Sequence, residues 1–239
     1  MQMKNKYIKS LVFSITTIFT IILTLNYLQV DNSITEEDKI YIGKILKDKK
    51  VTPPSKPISY EEEITLIINI QNSVLEVAHD NIGIPYNSPR EPKDLYISKS
   101  GLCYDRSRSI EKISRYFGFQ TRHISIYSTE NTHSPFQSLI TPKTSSHAVT
   151  EVLTLKGWIV VDSNVFWISL DGQGNPVSIE QIQSHNNNRI ISWAKPLPND
   201  IYKKPFTFIY GLYSRHGRFY HPYNFVPDMN YKELMQNIL

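Results

Sequence analysis

A chain of 239 residues with 26 lysines and arginines against 22 aspartates and glutamates carries a formal charge of +4. So slight an excess, with no nucleic-acid-binding motif beside it, excludes a charge-driven nucleic-acid binder. Hydrophobic residues at 40% and charged residues at 20% describe a globular chain long enough to bury a sizeable core, and a single cysteine excludes an internal disulfide framework.

Residues 11–30 form an uncharged, mostly apolar run preceded by Lys4, Lys6 and Lys9. About 20 such residues suffice to cross a bilayer core as a helix. No small-x-small cleavage pattern closes the run, so residues 1–30 read as an uncleaved, single-pass signal anchor. Lysines flank both ends, and the domain that follows is expected outside the cytoplasm, in a periplasm or at a cell surface. Residues 31–58 are polar and close on Thr52-Pro-Pro-Ser-Lys-Pro57. They read as a juxtamembrane linker with a short helix at Glu36–Leu46, leaving residues 59–239 as the folded domain.

Ser59-Tyr-Glu-Glu62 has the form of a capping box, and Ile64, Ile67, Ile68, Val74 and Leu75 continue it as an apolar helical stripe. Gln71 on that helix is expected at the surface or at the core's edge rather than in an active site. A proline-rich loop then leads to Gly101-Leu-Cys103-Tyr-Asp105. Ser100-Gly101 reads as a helix entrance, with glycine permitting close backbone approach. Ile110, Ile113 and Phe117 repeat at helical spacing, Asp105, Arg108, Lys112 and Arg115 fall off that stripe, and Gly118 stands at the C-terminal glycine position. Cys103 therefore lies in the first turn of a helix, where unpaired backbone N–H groups favour a thiolate.

Residues 119–127 read as a strand. Residues 146–155 alternate as a second, Lys156-Gly157 turns, and residues 158–162 run back. His147 and Asp162 then stand near the far ends of a hairpin, within cross-strand reach. An imidazole oriented by a carboxylate and facing a thiol is a nucleophile–base–orienter arrangement. Asp105, Arg122 and Glu151 read as buried charges that pair structurally. His123, His133, His147, His185, His216 and His221 show no tight ligand spacing, so no metal is expected. Residues 210–224 gather tyrosines, arginines and histidines around glycines, either as a stacking wall for a sugar or peptide or as packing against the sheet.

These residues resemble the transglutaminase-like superfamily, whose core is papain-like. The resemblance runs over about residues 90 to 170. It rests on Gly101-Leu-Cys103-Tyr-Asp105, the helix end Tyr116-Phe-Gly118-Phe-Gln-Thr-Arg122, His147-Ala-Val-Thr-Glu151-Val152 and Gly157-Trp158-Ile-Val-Val-Asp162. Val149 stands where many members carry tryptophan, and Ser163-Asn164 where proline is frequent. The resemblance implies an α+β fold, a papain-like core in which a cysteine-bearing helix packs on an antiparallel sheet carrying histidine and aspartate, preceded here by one transmembrane helix.

It also implies a Cys103–His147–Asp162 triad that forms a thioacyl-enzyme on an amide or peptide carbonyl and passes it to an amine or to water. The outcome would be transamidation, deamidation or proteolysis. Tyr104, Trp158, Tyr213, Arg215 and His216 are the candidate substrate-binding residues. A protein, peptide or glycopeptide substrate is expected, with no cofactor and no nucleic acid. The alternative is a catalytically silent, membrane-tethered binding or scaffold module on the same fold.

Overall fold

The helix that opens on the lone cysteine, Cys103–Tyr116, packs against one face of the sheet and against three helices that precede it in the chain. The computed structural model describes residues 2–46, 53–54, 56–85, 89–132, 134–188, 191–213 and 228–238, with side chains left undescribed at 2–10, 28 and 185–188. In chain order the helices are α1 (Gln2–Leu28), α2 (Glu36–Leu46), α3 (Tyr60–Val77), α4 (Pro92–Ser98), α5 (Cys103–Tyr116), α6 (Pro135–Ile140), α7 (Ile179–Asn188) and α8 (Tyr231–Leu234). Four strands, β1 (Thr121–Ser128), β2 (Ser146–Thr154), β3 (Gly157–Val161) and β4 (Phe206–Tyr210), form one antiparallel sheet in the order β3-β2-β1-β4.

The sheet separates two cores. On one face Val152, Ile159 and Val161 meet Ile110 and Ile113 of α5 and Ile67, Ile70 and Val74 of α3. On the other, Ile124, Ile126, Val149 and Val160 meet Trp167, Ile179, Ile182 and Tyr202. Alternation along β2 makes this possible: Val149 serves the second core while Val152 serves the first. Ser59 caps α3 as expected, accepting from the Glu62 N–H while Glu62 accepts from its own. Gly118, at φ +91°, ends α5 in a backbone conformation that a side chain would resist.

Part of the expected linker is folded. Residues 31–46 lie on the domain, and α2 buries Ile42, Ile45 and Leu46 in the first core. The reason is the charged flank of α5, which is buried among partners from distant segments. Lys112 Nζ meets Asp38 Oδ2 at 2.8 Å and Glu91 Oε2 at 3.2 Å, and Arg108 meets Glu91 at 2.9 Å and hydrogen-bonds Asn32 and the Asp31 carbonyl. Arg115 bridges Glu111 and Glu233. A solvated spacer would leave these cations buried and unpaired, at a cost that folding residues 31–46 over them removes.

The side chains of α1 described from Leu11 to Tyr27 are all exposed, Phe13 at 73% and Phe19 at 60%. No helix among the described residues is long and apolar enough to cross a membrane. Just past α1, Val30 is buried, and its N–H donates to the Met229 carbonyl at 2.8 Å.

Candidate active site

The site is assembled where the start of α5 meets the ends of β2 and β3. The segment before α5 is held by backbone pairing, the Gly101 N–H donating to the Asp80 carbonyl at 3.0 Å. Gly101 is required there: a Cβ would stand 2.9 Å from Leu95 Cδ1 and 3.1 Å from Asp105 Cβ. The helix opens two residues later than Ser100-Gly101 suggests, with Leu102 as its N-cap. Leucine has no side-chain acceptor, so Asp105 supplies one from within the first turn, its Oδ2 accepting the Leu102 N–H at 2.9 Å and the Ile84 N–H at 3.2 Å. Its Oδ1 lies 2.7 Å from Arg90 Nε, both side chains buried. Asp105 is thus structural, as expected, with Arg90 as the partner that local spacing does not reveal.

Cys103 is half-buried at the first position of α5 and lines the same cleft as His147. His147, 4% exposed, turns its Nε2 to Asp162 Oδ2 at 2.9 Å, which leaves Nδ1 as the ring nitrogen for the thiol. The register explains the meeting. Thr150 pairs with Val161, so continuing the ladder sets Asp162 beside Val149, two residues from His147 along the same face.

Asp162 is held from every side. Its Oδ2 accepts the Tyr202 hydroxyl at 2.7 Å, and its Oδ1 accepts the backbone N–H groups of Asn164 at 2.7 Å and Val165 at 3.0 Å. Gln71 Nε2 donates to the Asp162 and Trp167 carbonyls, both at 2.7 Å, so Gln71 fixes the loop beneath the aspartate and does not face the thiol. Burial disfavours an ionised Asp162, yet the charge and hydrogen bond of His147, with Tyr202 and Asn164, hold its carboxyl below the usual range. Burial likewise disfavours a charged His147, but Asp162 and Cys103 outweigh it and carry the imidazole up to about 10. The balance thus favours the imidazolium form of the ring.

Cys103 and His147 open on a cleft of about 320 Å³ that Asn81, Tyr104, Ser125, Tyr127, Ser146 and Asn164 also line. Tyr104 is its aromatic wall and shares a second side with a neighbouring cavity of about 280 Å³ bounded by Arg90, Arg108, His123 and Tyr213. Tyr213 is buried, stacked on His123 at 4.3 Å, with its hydroxyl on Glu111 at 2.9 Å and Glu233 at 3.0 Å. That is a packing role, outside the cleft.

Trp158 lies away from the cleft as well. It packs under the Arg122 guanidinium, 4.2 Å from its ring, while Arg122 Nε meets Glu151 Oε2 at 2.6 Å. The expected pairing of Arg122 with Glu151 is therefore present, and Trp158 serves it. Arg215 and His216 lie outside the described residues, as does most of the 210–224 stretch. Among the described residues no cluster of histidine, cysteine, aspartate or glutamate could hold a metal ion.

Residues 59–163 match the family model of the transglutaminase-like superfamily. That span contains Cys103, His147 and Asp162 and ends one residue past the last of them. Among solved structures, the chain is similar to a crystal structure from Cytophaga hutchinsonii described as a candidate cysteine protease, at 14% identity and a TM-score of 0.36. The similarity covers 60% of this chain and 46% of that one, so the chain spans about half the length of that structure. No curated protein matches the chain.

Tyr202, Arg90, Asn81, Asn164 and Arg106 are the site residues that sequence reasoning missed. Of these only Asn164, directly after the motif at a position where the family often has proline, carried a signal.

Proposed function

We propose that this protein is a thiol acyltransferase or hydrolase that opens an amide or peptide carbonyl through a thioacyl-enzyme on Cys103. One observation carries the reading: Cys103 and His147 line one cleft, and His147 Nε2 sits 2.9 Å from Asp162. In the ion pair, the Cys103 thiolate attacks the carbonyl carbon, the carbonyl electron pair moves to oxygen, and the Cys103 backbone N–H, unpaired at the first position of α5, meets the developing oxyanion. Collapse breaks the C–N bond, and His147 Nδ1 gives its proton to the departing amine. An amine or a water then takes the acyl group, with His147, now neutral, accepting the proton of the attacker. Asp162 keeps the ring oriented and stabilises its cation throughout. The reaction is thereby transamidation, deamidation or proteolysis.

The substrate is a protein, peptide or glycopeptide presented at an open cleft of about 320 Å³, wide enough for a side chain and its backbone. The exposed apolar side chains of α1 support a membrane anchor, and we place the domain on the extracytoplasmic side. The test is activity-probe labelling of membranes bearing the wild type and Cys103→Ala. Labelling by iodoacetamide at neutral pH that is faster in folded than in denatured protein, and absent in Cys103→Ala, is expected. Equal rates folded and denatured would mean an inert packed thiol and would overturn the enzyme reading.

A further inference from the structure

The second donor of the oxyanion hole is the remaining question at this site, because Gln71, the upstream side-chain amide on α3, is turned to the Asp162 and Trp167 carbonyls. The structure supplies a different amide. Arg106, one turn into α5 from Cys103 and 2% exposed, spends its whole guanidinium on one small region. Its Nε donates to the Ala78 carbonyl at 2.7 Å and its Nη2 to the Asp80 carbonyl at 3.0 Å. Its Nη1 donates to Asn81 Oδ1 at 3.0 Å and to Asn164 Oδ1 at 2.9 Å.

A guanidinium has only donors, so it selects the oxygen end of each carboxamide. Both Nδ2 groups are thereby turned away from Arg106, and neither has a partner among the described residues. Both asparagines line the cleft with Cys103. They are not equivalent. Asn164 follows the aspartate and donates its own backbone N–H to Asp162, which places it on the histidine side. Asn81 follows Asp80, whose carbonyl takes the Gly101 N–H, so it runs alongside the backbone that leads into Cys103.

We propose that Asn81 Nδ2 is the side-chain donor of the oxyanion hole, paired with the Cys103 backbone N–H, and that Arg106 is the positioning residue that fixes its orientation. This rests on the thioacyl reading above. As Sγ bonds to the carbonyl carbon and the π electrons move to oxygen, Asn81 Nδ2–H and Cys103 N–H share the new negative charge. When the leaving group departs, the charge returns to the C=O bond. The donor is preorganised by a cation that cannot be deprotonated, so its orientation does not vary with pH.

The experiment compares two reagents at one sulfur. p-Nitrophenyl acetate acylates Cys103 through a tetrahedral oxyanion; iodoacetamide alkylates it by displacement at carbon, with no oxyanion. Asn81→Ala, at an exposed position, is expected to slow acylation by p-nitrophenyl acetate about 100-fold, in line with the loss of one oxyanion donor. Its iodoacetamide rate should stay within about twofold of wild type. Asn164→Ala should slow acylation far less than Asn81→Ala does.

A parallel fall of both rates in Asn81→Ala would mean that Asn81 acts on the thiol itself, and unchanged acylation would mean that it does not touch the oxyanion. Either result overturns the proposal, as does a 100-fold acylation loss in Asn164→Ala alone. A wild type whose acylation does not depend on Cys103 would instead overturn the thioacyl reading on which this one stands.

Discussion

With its Oδ2 shared between His147 at 2.9 Å and Tyr202 at 2.7 Å, and its Oδ1 filled by two backbone N–H groups, Asp162 has no freedom to turn. Its charge decides the state of the ring. Without it, burial would dominate His147 and push the imidazole towards neutrality. Asp162→Asn should therefore keep the fold and lose the imidazolium at neutral pH. In a series of iodoacetamide rates against pH, the wild type should already be fast at pH 7. The variant should already be slow at pH 7, by about tenfold or more. Superimposable profiles would show that Asp162 does not govern the ring.

The same shift has a sign in stability. The folded-state value of about 10 lies above the ordinary 6.5, so the stability contributed by charged His147 is complete below about pH 6.5 and drains as pH rises towards 10. Chemical denaturation of the wild type against His147→Gln should show a gap that narrows over that window.

At the scale of elements, α5 behaves as a central helix dressed as a surface one. Its apolar stripe of Ile110, Ile113 and Phe117 was legible because periodicity is local, and so was its glycine-terminated end. The hairpin of β2 and β3 was legible for the same reason: two short alternating runs about a Lys156-Gly157 turn. The fate of the charged flank was not. Arg108, Lys112 and Arg115 find their partners at Asn32, Asp38 and Glu233, from 74 to 118 residues away, and no spacing within the helix encodes such pairings. Trp158 and Tyr202 were opaque for a like reason, since their contacts are made across the sheet or from a distant loop.

The Asp38–Lys112 pair tests this account, both side chains being at most 4% exposed. Lys112→Met leaves Asp38 buried without its cation and should lower stability by about 3–5 kcal/mol in urea denaturation. Lys112→Met combined with Asp38→Leu should recover most of that loss. A single substitution that cost less than about 1 kcal/mol would show that residues 31–46 are a detachable strand of chain after all.

For the whole molecule, the sequence reading of an anchor and a domain turns on α1, whose apolar side chains find no cover within the protein. Mixed with phosphatidylcholine vesicles, the full chain should float with the lipid. Ile18→Lys with Ile22→Lys should abolish flotation, since each lysine at the centre of a spanning helix costs about 2.5–3.5 kcal/mol. Flotation retained by the double variant would remove the anchor.

The joint between α1 and the domain has a mechanical meaning. A flexible spacer of residues 31–58 would let the cleft sweep a radius of about 30 Å around its attachment point. Instead only Gln29 separates α1 from Val30, which is bonded to Met229, while the Tyr231 hydroxyl reaches back to the Leu25 carbonyl at 3.0 Å. The attachment is a clamped stalk, not a leash. Any force that leans the helix is delivered straight to the chain packed beside α5.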